Sequence, residues 1–217
     1  MTITANPVQT QFNVSEAIGA YNAEIERLKA EMESRKRGLV QQIFEDIEQR
    51  DPERAAHCLR VSQYAADTAI ELGLDPASVE EIRMAAIFHD YGALNAPAEV
   101  LAKQDAMTTE ERTILRRHVL EGAQVLASIR DYDNVVNIIE NHYEWFDGDG
   151  GYPGRRKGQL IPIGARILAV ANAYDALITR RPGRLHPLSS QDALMEIMAR
   201  TGTQYDPDVL EAFRQVI

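Results

Sequence analysis

Two dipeptides mark where helices start in this chain: Asp51-Pro52 and Asp75-Pro76. In each, a short carboxylate can accept the free N–H groups of a first helical turn. The proline that follows has no N–H to lose and already holds the φ that the turn needs. Thr108 with Glu111, and Ser189 with Asp192, have the spacing of capping boxes. Apolar residues between these signals recur at helical intervals, and strand-like alternation is absent. The pattern predicts helices over residues 14 to 49, 52 to 72, 76 to 90, 109 to 128, 132 to 145, 163 to 179 and 190 to 200, with a glycine-rich loop at 148 to 158. The expected fold class is all-α.

The first of these helices has a character of its own. No proline interrupts Phe12 to Ile47, and Ile18, Tyr21, Ile25, Leu28 and Met32 recur at alternating three- and four-residue steps, the seam of a coiled coil. Arg35 occupies the next seam position, after which Leu39, Val40, Ile43, Phe44 and Ile47 form a broader stripe. Residues 1–50 are therefore expected to be a helical extension that pairs two chains into a homodimer and then packs on its own domain. The alternative is that the whole helix folds back on that domain. Residues 51–217 are expected to form the second, main domain.

With 217 residues and 45% hydrophobic content, the chain can bury one substantial core. Lys and Arg total 23 against 33 Asp and Glu, a formal charge of -10, which gives no general pull toward nucleic acid or a membrane surface. Any phosphate-bearing ligand must be held by local cations or metal ions. Cys58 is the one cysteine, and the first residues have neither a basic n-region nor a long apolar run, so a cytoplasmic setting is expected.

Five histidines are present, and His57, His89, His118 and His142 fall within or near the ends of four separate predicted helices. A helical bundle brings imidazoles together in this way around a buried metal. His89-Asp90 follows the apolar run of "IRMAAIFHDYGAL" and should emerge from the core at a helix end. Neighbouring side chains on a helix point about 100° apart, so both can reach one ion only where the backbone is adjusted. Imidazoles suit Fe, Mn or Zn, and a carboxylate can bridge two ions, an arrangement suited to phosphate ester cleavage.

The order of motifs carries a family resemblance. His57 lies in "ERAAHCLRVSQYAA", followed by His89-Asp90, then "TTEERTILRRHVLEGAQVL" with His118 and Gly122, and "GYP" at Gly151 to Pro153. "IPIGARILAVANAYDAL", Arg181 with Arg184, and "TGTQYDPDVLEAF" complete the set. Residues 53 to 214 resemble an HD-GYP domain, the bacterial branch of HD phosphohydrolases that usually hydrolyses cyclic di-GMP.

The resemblance implies an HD-domain helical bundle in which two or three divalent ions, iron or manganese, are held by His57, His89, Asp90, His118 and His142 and activate the attacking water. Asp90 is the implied catalytic residue. Glu53, one turn before His57, is either an extra carboxylate ligand or an ordinary first-turn acid. Arg181 and Arg184 match positions that hold substrate phosphates, or are solvated loop cations. The GYP loop is either a docking surface for partner signalling proteins or turn structure alone, and Trp145 beside it reads as core.

Three positions depart from the family pattern. "NHYEWFDGDGGYP" offers one histidine where the family has a pair, with either His142 and Tyr143 or Asn141 and His142 at the two places. The aspartate of the "VAD" segment is Asn172, whose amide oxygen can coordinate but carries no charge. The lysine of HDxGK is Ala93. The expected function is metal-dependent hydrolysis of cyclic di-GMP or a related cyclic dinucleotide. The alternative is a degenerate, inactive module that binds ligand or partner proteins in signalling.

Overall fold

In the computed structural model, which describes residues 14–101, 108–129, 131–180 and 186–217, the helix-start signals act as their chemistry requires. The Asp51 carboxylate accepts the Arg54 N–H at 3.0 Å, and Asp75 accepts those of Ala77 and Ser78 at 3.0 and 3.1 Å. Thr108 and Glu111 close a full capping box. At Ser189 the reciprocal bond differs from the expectation: the Asp192 carboxylate takes the Ser189 hydroxyl, not the backbone N–H.

The helices are α1 (Val14–Arg50), α2 (Pro52–Glu71), α3 (Pro76–Phe88), α4 (Ala98–Leu101), α5 (Thr109–Ala127), α6 (Asp133–Asn141), α7 (Ile163–Ile178), α8 (Ser190–Met198) and α9 (Pro207–Val216). Short 3-10 turns lie at Tyr91–Asn95 and Gly158–Leu160. Among the described residues the strand-type pairings are two isolated bridges, Glu144 with Gly151 and Thr201 with Tyr205. The chain is all-α.

Two expected helices end early. The one drawn over 76 to 90 stops at Phe88, and the one drawn over 132 to 145 stops at Asn141. In both, the next residue is a histidine that caps the helix. α9 was missed, although Asp206 caps it through the N–H groups of Asp208 and Val209 and is followed by Pro207, the same signal as at Asp51 and Asp75.

The chain divides into two units between Ile43 and Phe44. In the first, α1 carries an exposed apolar stripe with Tyr21 69%, Leu28 45% and Met32 50% accessible, flanked by ion pairs such as Arg27–Glu24 and Lys29–Glu26. In the second, α2 packs against α3, α7 and α9, α5 packs against α6 and the Tyr91–Asn95 turn, and α7 also meets α3, α6 and α8. Ile47, Phe88, Leu126, Ile139, Ile167, Leu168 and Phe213 are fully buried in this unit. Each such side chain contributes about 1.5–3 kcal/mol of hydrophobic stabilisation. α7, apolar on nearly every side, is the element the others surround. Among the described residues, no helix is long and apolar enough to cross a membrane.

Candidate metal centre

Two of the imidazoles are set by helix ends. A helix terminus leaves carbonyls without intrahelical partners, and His89 and His142 each cap one. His89 Nδ1 donates to the Ala86 carbonyl at 2.8 Å and His142 Nδ1 to the Ile139 carbonyl at 2.7 Å. Spending the Nδ1 proton in this way leaves Nε2 as the bare, basic nitrogen, the form a metal ligand needs. Both rings are buried, and neither Nε2 meets a hydrogen-bond partner among the described residues. Burial holds both rings neutral, lowering His89 to about 4 and His142 to about 3. A dry nitrogen without a partner is costly, and a cation offsets that cost.

The backbone adjustment anticipated at His89-Asp90 is present. His89 keeps helical angles, while Asp90 turns to φ -103°, ψ 4°, at the start of the 3-10 turn. The turn aims the Asp90 carboxylate back at the histidines: Oδ1 lies 3.4 Å from His118 Nε2 and 3.8 Å from His89 Nε2. Ligand atoms of His57, His89 and Asp90 all fall within 4.8 Å of one another. The rings of His89 and His142 are 5.4 Å apart, as are those of His57 and His89. Four imidazoles and one carboxylate drawn from four helices thus converge.

His118 reaches Asp90 because two glycines let α5 and the 3-10 turn touch. A Cβ on Gly92 would lie 2.0 Å from the His118 carbonyl oxygen, and one on Gly122 would lie 3.1 Å from the Gly92 nitrogen. The second oxygen of Asp90 faces a cation. Arg54 Nη1 donates to Oδ2 at 2.5 Å, and Arg54 Nε is itself held by Asp51 at 3.1 Å. Burial works to raise the Asp90 pKa, but His89, His118 and Arg54 together keep it well below the usual carboxylate range. Arg54 thus brings a guanidinium to a site where Ala93, buried in the 3-10 turn, brings none.

His57 is oriented from α7. Its Nδ1 donates to Asp175 Oδ2 at 2.7 Å, and Arg60 clamps the same carboxylate with Nε at 2.7 Å and Nη2 at 2.9 Å. Burial opposes ionisation of Asp175, but His57 and Arg60 hold its pKa at about 2. A carboxylate behind a ligating histidine fixes the ring and raises its basicity. Sequence reading missed Arg54, Arg60 and Asp175. The available signal was spacing: Arg54 and Arg60 lie one turn before and after His57 on the same face of α2.

The loop after α6 is built around the buried Glu144, whose carboxylate accepts the N–H groups of Gly154 and Arg155 at 2.9 and 2.8 Å. Gly151 adopts φ 76°, and a Cβ there would lie 2.0 Å from the Tyr143 carbonyl oxygen. Asn141 is turned back on its own helix, donating to the Asn137 carbonyl at 2.7 Å. Tyr143 instead lies against His142, with ring centroids 4.1 Å apart, and meets His118 edge-on at 6.1 Å. Of the two alignments, the geometry puts Tyr143 beside the cluster. Tyr152 stacks on Tyr143 at 4.6 Å, and the Arg116 guanidinium lies over the Tyr152 ring at 5.2 Å.

Other candidates stand apart from this cluster. Glu53 is exposed in the first turn of α2, and it is the next residue, Arg54, that reaches Asp90. Asn172 is half-buried on α7 and lines a cavity with His142 and Tyr143. Trp145, expected in the core, is 36% exposed: the Gly150–Gly151 backbone packs so closely on its indole that no side chain fits at Gly150. His186 is exposed. Arg181 and Arg184 lie outside the described residues.

A family model described as HD domain matches residues 38–209. A cyclic di-GMP phosphodiesterase of Thermotoga maritima is 36% identical over 170 residues, which cover 76% of this chain and 45% of that protein. The cyclic di-GMP phosphodiesterase response regulator RpfG of Xanthomonas campestris is 35% identical over 184 residues, covering 84% and 48%. Among solved structures, an HDG"Y"P protein from Bdellovibrio bacteriovorus superposes with a TM-score of 0.62 at 25% identity, over 75% of this chain and 52% of that one. The chain spans about half the length of the curated relatives it matches.

Proposed function

The chain belongs to the HD domain family and carries the HD-GYP signature; on that premise we propose that it hydrolyses cyclic di-GMP or a related cyclic dinucleotide by metal-dependent phosphodiester cleavage. One observation carries the reading. Buried, neutral His89 and His142 present bare Nε2 atoms next to an ionised Asp90, a donor set that fits divalent cations and little else.

His57, His89, Asp90, His118 and His142 would hold two ions, iron or manganese; Glu53 and Asn172 stand apart from that cluster and are not assigned to it. Bound there, such ions polarise a phosphate and lower the pKa of water. The protein's own groups do the rest. Asp175 fixes the His57 ring through Nδ1, and the Ala86 and Ile139 carbonyls do the same for His89 and His142. Arg54 holds Asp90 Oδ2, so Oδ1 is the oxygen turned to the imidazoles and Asp90 the residue on which catalysis depends. Arg181 and Arg184 are assigned to the substrate phosphates, which guanidinium groups grip with paired hydrogen bonds. In the reaction, the oxygen of a water bonds to phosphorus, the P–O bond to one ribose breaks, and the departing ribose oxygen takes up one of the water's protons while the other is released to solvent, giving a linear dinucleotide.

Around this site the proposal adds a cytoplasmic homodimer paired through the exposed seam of α1, with the GYP loop offered to partner signalling proteins. The test is elemental analysis of purified protein together with cyclic di-GMP turnover in added Mn or Fe(II). Metal and turnover together are expected. Bound metal with turnover appearing only after Tyr143→His, Asn172→Asp and Ala93→Lys would make the native chain a binding module, and absence of metal would end the reading.

A further inference from the structure

The wall formed by His142 and Tyr143 has a second side. Behind it a cavity of about 150 Å³ opens between the loop after α6, α7 and the segment before α9. A second cavity of about 150 Å³ adjoins it and shares Ala173, Ala176 and Tyr205. A void of about this size takes up a flat six-membered ring in other proteins, and two in contact have room for a fused bicycle. We propose that this cavity is a nucleobase pocket that takes one purine of the dinucleotide while its phosphate faces the metal centre. The assignment rests on the function proposed above for the substrate, but the pocket's chemistry argues for a base independently.

That chemistry is largely aromatic, and the charged side chains at its edges are already partnered. Tyr143, Trp145 and Tyr205 supply ring surface, and the Gly150–Gly151 backbone buttresses the indole, leaving the rest of it accessible at the cavity. Asn172 supplies a carboxamide, a group that both donates and accepts hydrogen bonds as a base edge requires, and Gln204, whose Oε1 accepts from Arg200, adds an amide donor. No lysine or arginine is among the described residues lining the first cavity, and in the second Arg200 is already engaged, donating to Gln204 Oε1 at 2.9 Å with Glu196 3.9 Å away. The first cavity's one acid, Glu144, already accepts the N–H groups of Gly154 and Arg155. An anion would find no unengaged counter-charge here, whereas a neutral planar heterocycle finds stacking surface and amide partners. His142 forms both the wall of the cavity and a corner of the histidine cluster. A base in the cavity would therefore touch a member of that cluster.

The chain's single tryptophan is Trp145, so indole fluorescence comes from a residue that lines this cavity. Metal-stripped full-length protein would be titrated with GMP and, separately, with ribose 5-phosphate, which has the phosphate but no base. Saturable quenching by GMP is expected, with none by ribose 5-phosphate. Ala173→Leu and Ala169→Leu, two independent fillings of the cavity, should each weaken GMP at least tenfold; if one fails to fold, the other decides. No saturable response, an equal response to ribose 5-phosphate, or quenching unaltered in the folded variants would overturn the pocket. Cyclic di-GMP turnover is scored separately: turnover without GMP quenching sinks the pocket and spares the enzyme, and quenching without turnover does the reverse.

Discussion

At Gly92 the absence of a single carbon lets the histidine cluster close. A methyl group there would sit 2.0 Å from the His118 backbone oxygen, so α5 would have to withdraw and take His118 away from Asp90. Gly92→Ala is expected to cost about 1–3 kcal/mol, the usual cost of overpacking, and to lower bound metal in the fraction that folds; melting with elemental analysis reads both, and a variant with native metal content would contradict the argument. Asp175→Asn keeps an acceptor for His57 Nδ1 but removes the charge, and should weaken Mn binding roughly 10–100-fold. Metal content should also fall further in His89→Ala or Asp90→Ala than in His186→Ala, since only the first two have side chains in the cluster. Tyr205 gives a pH signature. Burial raises its phenol from 10 to about 12, so between those values the folded state keeps a proton that the unfolded state has released. Its contribution to stability is complete below pH 10 and is lost as pH rises through 12, on the order of 2 kcal/mol. Urea denaturation from pH 9 to 12 should show that slope in the native protein and a flatter one in Tyr205→Phe.

Elements differ in how openly their sequence declares them. α2 and α3 are announced by Asp-Pro pairs, and α9 carries the same pair at Asp206-Pro207 with an apolar face that buries Val209 and Phe213. The misplaced ends of α3 and α6 have a common cause. Each helix stops where a histidine turns its Nδ1 to the last open carbonyls, a choice stabilised by tertiary burial of the ring and invisible to local propensity. For α1 the declared feature is the seam, and its exposed Tyr21, Leu28 and Met32 lie where a second helix would cover them. If that helix belongs to a second copy, Leu28→Glu with Met32→Glu should halve the mass seen in sedimentation while leaving the main domain's melting unchanged. An unaltered mass would dismiss the dimer seam.

For the molecule as a whole, the histidine pattern, motif order and helical periodicity were enough to name the fold class and the four imidazoles and one carboxylate that the structure brings together. Composition and spacing are local quantities, and a helix's apolar face and start signals are written in consecutive residues. What had to wait for the tertiary structure were the residues defined by what lies opposite them. Arg54 matters because Asp90, on another helix end, faces it, and Asp175 because α7 passes His57 at hydrogen-bonding distance. Tyr143 rather than Asn141 stands by the cluster because Asn141 is already bonded to its own helix. Trp145 lies at a cavity and is part-exposed, with one portion of its ring covered by the Gly150–Gly151 backbone, a contact no local pattern announces. Each of these depends on a contact between segments far apart in the chain, and close packing decides such contacts only when all the elements are in place.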